Sequence, residues 1–469
     1  YQNANNSVRV TDEFMHRIEE DGMWETRFVT TGETADQYRA RDMMREIAQA
    51  AWECADPGIQ FDTTINKWHT CSVTGPITAS NPCSEYMHLD DTACNLASIN
   101  LMKFYDSVTD TFRTEEFVHA VDIMILAQDI IVDASSYPME KIAKNARDFR
   151  ELGLGFANLG AFLMAKGLPY DSEEAVAWGG VLTALMCGEA YRYSAEISRA
   201  MGPFQGFAAN REPMLRVMGM HREALDDIKL NLVTDKALVD RTRLCWDEAL
   251  KDGEKFGVRN SQVTVIAPTG TIALMMDCDT TGVEPDFALV KMKQLVGGGT
   301  MRIVNQTVSS ALQKLGYAEK DVKNIVTWIE EKGTVEGAPG IKEEDLAVFD
   351  CAVKPAHGTR SISWQGHVRM VAAVQQFISG AISKTFNMPY DTTHEEIMDA
   401  YLMAWRSGIK AFAVYRDGSK AAQPLQTSTG KGTKEKIQLQ LGVGASRRKL
   451  PSTRSSETHK FSIAGHEGY

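Results

Sequence analysis

Short apolar runs alternate with stretches of helical periodicity along this chain, and no other feature restricts its fold as strongly. Val263-Thr-Val-Ile266, Phe377-Ile-Ser-Gly-Ala-Ile382 and Ala411-Phe-Ala-Val-Tyr415 read as strands bounded by Gly, Pro and Asp. Helical spacing covers 34–54, where Tyr38, Met43, Ile47 and Trp52 form a stripe. It returns at 114–135, 141–166 and 172–201, a block broken at Gly153, Gly155 and Gly167-Leu-Pro169. Further helices are expected near 303–315, 319–332, 342–350 and 393–408. Strands that alternate with helices pack as an α/β fold.

Composition narrows what such a fold can do. The 469 residues carry 50 Lys and Arg against 62 Asp and Glu, a net charge of −12 that argues against a nucleic-acid backbone as partner. No apolar run reaches the roughly 18 residues of a membrane span, and the N-terminus lacks a signal pattern, so a cytoplasmic protein is expected. Eight cysteines, none in a Cys-x-x-Cys pair, disfavour both a secreted disulfide framework and a zinc ribbon. Residues 1–425 read as one folded unit. Residues 426–460, with eight Lys or Arg and two Glu among Ser, Thr and Gly, read as a basic flexible linker, and 461–469 as the start of a further segment. The chain opens on Tyr1 and ends on Tyr469 inside a strand-like stretch, so a fragment is expected.

Asn81-Pro-Cys83-Ser-Glu85 is the most informative text. In an extended backbone, residues two apart share a side, which would bring an amide, a thiol and a carboxylate together. A neighbouring carboxylate disfavours a thiolate, so the set suits a neutral thiol that gives up a hydrogen atom while the carboxylate acts on a substrate hydroxyl. Taken alone, the motif reads first as a buried cysteine in a turn. Cys94, eleven residues on, adds a redox reading. In Ala267-Pro268-Thr269-Gly270-Thr271, which follows a strand, Pro ends the strand, Gly lets a ligand approach, and N–H groups with two hydroxyls can cradle a phosphate, although the motif is not a Walker A loop and taken alone reads first as a turn. Asp277 to Asp286 lacks the one-in-two spacing of a calcium loop and is expected near the substrate, not as a metal site. Gly153-Leu-Gly155 mimics a dinucleotide fingerprint but follows a helical pattern, so helix packing is expected there. His69, His357, His367 and His394 show no ligand spacing.

With these motifs, the chain resembles ribonucleotide reductase, specifically the adenosylcobalamin-dependent (class II) enzymes. The likeness extends through Asp56 to His69, Phe377 to Thr385 and Val414-Tyr-Arg-Asp-Gly-Ser-Lys420. It implies a ten-stranded α/β barrel with Cys83 on an internal finger loop. Cys83 would become a thiyl radical and take the 3′ hydrogen of the ribose. Glu85 would be the general base, Asn81 would bind the ribose hydroxyls, and Cys94 would be half of the reducing dithiol. Pro268, Thr269, Gly270 and Thr271 would hold the substrate phosphates. It further implies a ribonucleoside diphosphate substrate, adenosylcobalamin as cofactor, a thioredoxin-like or other dithiol reductant, and a homodimer. The family's second reducing cysteine and effector site would precede residue 1, and its C-terminal cysteine pair would follow residue 469. The class I enzymes pass the radical through adjacent tyrosines, whereas Tyr415 stands alone. The alternatives are a non-catalytic fragment that keeps nucleotide binding, or a class I large subunit needing a radical-generating partner.

Overall fold

A computed structural model describes residues 5–294, 300–419, 425–426, 461–463 and 466–468. Two compact units are defined, Tyr1–Thr427 and Ser428–Tyr469. In the second, the described strands Phe461–Ile463 and His466–Gly468 pair antiparallel. Residues 427–460, which hold nearly all of the expected linker, lie outside the described residues.

The first unit is built on two sets of strands. In one, Gly58–Phe61 lies between Ser7–Val10, its parallel neighbour, and Ala411–Arg416, which runs antiparallel to it. Thr385–Met388 completes the four by pairing parallel with Ala411–Arg416. Phe386 and Phe412 stack across that last pair with centroids 3.7 Å apart. In the other set, Asn95–Asn100 pairs parallel with Leu152–Ala157, and two single bridges extend it, Leu154 to Thr264 and Ile266 to Ile382.

Leu152–Ala157 is buried along its whole length, so its sequence carries no period-two alternation and reads like a helix. The expected helical packing of Gly153-Leu-Gly155 is therefore overturned: both glycines sit in a parallel strand. Their reason is proximity, since a Cβ on Gly155 would stand 2.4 Å from the Val265 carbonyl oxygen. Other elements shift in the same sense. Thr34–Arg39 is a strand paired with Met23–Arg27, and the helix begins only at Ala40. The 377–382 stretch is a turn with a single bridge, and the strand lies further on at Thr385–Met388. Thr300–Val304 is a strand before the helix Thr307–Lys314, and Glu343–Phe349 is 3-10.

Helices cover the strands. Glu173–Met201 starts at a Ser172 cap and is buried nearly all round, packing on Lys236–Phe256, Thr114–Ala134 and Trp364–Gln375. Its Trp178, Leu182, Leu185 and Tyr191 are central to the main core. A satellite core of Val308, Leu312, Ile325, Ile329 and Phe349 gathers the helices of 307–349. Among the described residues the two strand sets do not close into a ring, so the observed architecture is mixed α/β. No described helix is long and apolar enough to cross a membrane.

Candidate active site

The loop Asn81–Glu85 sits between the two strand sets and is tied to both. From the first set, Gln60 Nε2 donates to Ser80 Oγ (2.6 Å) and Ser84 Oγ (3.0 Å). From the second, the Ala381 N–H donates to the Glu85 carbonyl at 2.8 Å. The loop is not extended, as the period-two reading required. Ser84 donates its N–H to the Asn81 carbonyl (3.0 Å) and takes a left-handed φ of 63°, which makes a turn. Asn81 Oδ1 accepts the Tyr86 N–H at 2.9 Å, so this side chain closes the loop. The turn leaves Cys83 exposed and buries Glu85.

Cys83 opens onto a cleft of about 210 Å³, with Ile382, Ser383, Lys384 and Thr385 on one side and Gly58, Ala411 and Tyr415 on the other. Burial and then the Glu85 charge raise the Cys83 thiol above the ordinary value, so it stays S–H at neutral pH. Glu85 Oε2 is buried and has no hydrogen-bond partner among the described residues. Cys94 directly precedes the Asn95–Asn100 strand, where the missing Cβ of Gly153 leaves its sulfur room; a Cβ there would stand 2.8 Å from Sγ. Burial first, then Glu151 and Glu85, push the Cys94 thiol well above its ordinary value. One carboxylate, Glu85, thus acts on both thiols. All eight cysteines are free.

The Pro268–Thr271 loop leaves the second strand set directly after Ile266. Thr269 is buried with φ 51°, and its Oγ1 accepts the Gly282 N–H at 2.8 Å while keeping its own hydrogen to donate. Gly270 and Thr271 are exposed. Beside them, Glu284 accepts the Thr385 N–H (2.9 Å) and pairs with the buried Lys384 (2.5 Å), which joins this loop region to the cleft of Cys83. The remaining carboxylates of the Asp277–Asp286 stretch do structural work. Asp279 accepts the Gln306 and Thr307 N–H groups, each at 3.0 Å, and Asp286 pairs with Lys291 at 2.6 Å.

Sequence reasoning missed a buried polar pair whose carboxyl acts on Cys94. His88 Nδ1 lies 3.0 Å from Glu151 Oε1, both fully enclosed, and His88 Nε2 lies 3.2 Å from Ser261 Oγ. Burial lowers His88 to about 3 and pushes Glu151 well above the carboxylate range, so both groups are driven toward their neutral forms. No spacing announces partners this far apart in the chain. Lys384 and Lys410 were also missed, and each had a signal: a lysine inside a strand-like apolar run.

The family described as "Ribonucleotide reductase, barrel domain" matches residues 1–415, and the chain belongs to it. Within that family, it is 53% identical over its whole length to the vitamin B12-dependent ribonucleotide reductase of Rhodopirellula baltica, covering 46% of that protein. It is 49% identical to the protein of the same name from Streptomyces clavuligerus, again over the whole chain and 50% of the relative. It is 32% identical, over 91% of this chain and 54% of the relative, to the vitamin B12-dependent ribonucleoside-diphosphate reductase of Mycobacterium tuberculosis. The chain spans about half the length of the curated relatives it matches.

Proposed function

We propose that this chain is the catalytic part of an adenosylcobalamin-dependent ribonucleotide reductase, which converts ribonucleotides to 2′-deoxyribonucleotides for DNA synthesis. The observation that carries the reading is an exposed, protonated Cys83 on a cleft, with the buried, unpaired Glu85 Oε2 on the same loop. Names of relatives up to 53% identical support the cofactor, and the name of the 32% relative supports a diphosphate substrate. On this reading the strands described here belong to the ten-stranded barrel, with the Cys83 turn as its finger loop. The protein works in the cytoplasm as a homodimer with a dithiol reductant.

A thiol that yields a hydrogen atom must be both protonated and reachable, and Cys83 is both, which fits the cofactor. Adenosylcobalamin, when bound, supplies the radical equivalent that removes that hydrogen. Cys83 then takes the 3′ hydrogen of the ribose and later returns it. Glu85 accepts the 3′-OH proton, aided by its lack of a competing donor at Oε2. Asn81 offers its amide N–H to the ribose hydroxyls, its oxygen being engaged by the Tyr86 N–H that holds the loop. The backbone and hydroxyls of Pro268–Thr271 hold the phosphates. Cys94 and a second thiol give two hydrogen equivalents as the 2′-OH leaves as water, and they end as a disulfide.

The test is reduction of ribonucleoside diphosphates by the full-length protein with adenosylcobalamin and dithiothreitol. Cys83→Ser is expected to abolish reduction and keep nucleotide binding. Turnover by Cys83→Ser would refute the hydrogen-transfer role. Activity that needs a second protein in place of the cofactor would refute the class.

A further inference from the structure

Lys410 is fully enclosed, yet among the described residues it pairs with no carboxylate. Its Nζ instead lies 2.5 Å from the Gly380 carbonyl oxygen, 3.3 Å from that of Ser379 and 3.4 Å from that of Ile378. An ammonium carries three N–H groups, and here three consecutive carbonyls of one turn receive them. That turn is the junction of the site. The Ser379 Oγ accepts the Val263 and Thr264 N–H groups (3.1 and 2.9 Å), and the Gly380 N–H reaches the Thr264 carbonyl at 2.8 Å. The next residue, Ala381, gives its N–H to the Glu85 carbonyl. Among the described residues no hydrogen bond holds Glu85 Oε2, so the hold on the Glu85 backbone bears on where that oxygen lies.

We propose that Lys410 is a positioning residue for Glu85: it gathers the 378–380 carbonyls so that the Ala381 N–H fixes the Glu85 backbone beside Cys83. Lys410 touches neither thiol nor nucleotide in this role. Burial lowers its pKa to about 7, which marks the cost of enclosing the ammonium, and only the neighbouring Cys187 thiol acts the other way. A simple packing role would be met by an apolar side chain of the same length at lower cost.

The proposal rests on the reading of Glu85 as general base, and the experiment separates the two. Lys410→Met in the full-length protein is expected to speed amide hydrogen exchange in the peptide containing Ala381 by about tenfold, the change that follows loss of one or two ordinary hydrogen bonds. It is also expected to lower kcat with KM for nucleotide retained. Lys410→Arg, which keeps a charge and N–H donors, is expected to recover much of both. If Lys410→Met does not fold, Lys410→Gln carries the same measurements. Unchanged exchange around Ala381 would overturn the proposal whether or not the enzyme turns over, and so would an arginine variant no better than methionine. Failure of the Glu85 reading shows separately, as full turnover in Glu85→Gln.

Discussion

Gly155→Ala tests whether the strand Leu152–Ala157 is built around contact with the segment that leads into Pro268–Thr271. The added Cβ would stand 2.4 Å from the Val265 carbonyl oxygen, about 1 Å inside ordinary contact. The obstacle is backbone, so no side chain can rotate away. Relief requires moving the 262–266 segment, which is held by the Leu154 N–H on the Val263 carbonyl (2.9 Å) and the Val265 N–H on the Leu154 carbonyl (3.1 Å). Overpacking costs about 1–3 kcal/mol, and weakening two backbone hydrogen bonds adds about 1 kcal/mol each. Alanine's reduced freedom in the unfolded chain offsets about 0.5–1 kcal/mol. A net loss of about 2–4 kcal/mol is expected, read as a lower urea midpoint by tryptophan fluorescence at unchanged slope. Gly153→Ala is the internal control. The three atoms nearest its Cβ are side-chain ends, Leu96 Cδ2, Cys94 Sγ and Val265 Cγ2, at 2.6, 2.8 and 2.9 Å, and Leu96 is half exposed. It is expected to cost about half as much or less while disturbing the Cys94 thiol. A Gly155→Ala protein within about 0.5 kcal/mol of the parent would refute the reasoning.

Two further predictions concern charge. Glu85→Gln removes the negative neighbour of Cys83, so the thiol's pKa falls and iodoacetamide labelling of Cys83 at pH 8 speeds up, about tenfold for each unit of fall; peptide-level mass spectrometry that finds no acceleration would exclude Glu85 as the cause. Glu284→Gln leaves the buried Lys384 without its carboxylate and is expected to cost about 3 kcal/mol near pH 7. Burial already lowers Lys384, and without Glu284 it falls further, so between that lowered value and 10.5 the unfolded chain holds a proton that the folded chain lacks. Stability of the variant therefore rises with pH across that window relative to the parent, and a deficit that widens toward alkaline pH would contradict the assignment.

The local grouping of the candidate residues was legible in the sequence because it lies within a few residues. Cys83 and Glu85 share one turn, and Pro268–Thr271 follows its strand segment, so residue type and order announce them. The α/β alternation and the helices Glu173–Met201, Glu319–Lys332 and His394–Arg406 were legible for a similar reason, since a helix bonds to itself. Strands take their identity from neighbours. Leu152–Ala157 and Thr34–Arg39 carried helical spacing, and only pairing with Asn95–Asn100 and Met23–Arg27 made them strands. The tertiary structure alone decided that Glu85 is buried while Cys83 is exposed, and that His88 meets Glu151. It also decided that Lys384 meets Glu284 and that Lys410 closes the turn beneath Glu85. Burial and long-range pairing set these charges and orientations, and neither is a property of any short stretch of chain.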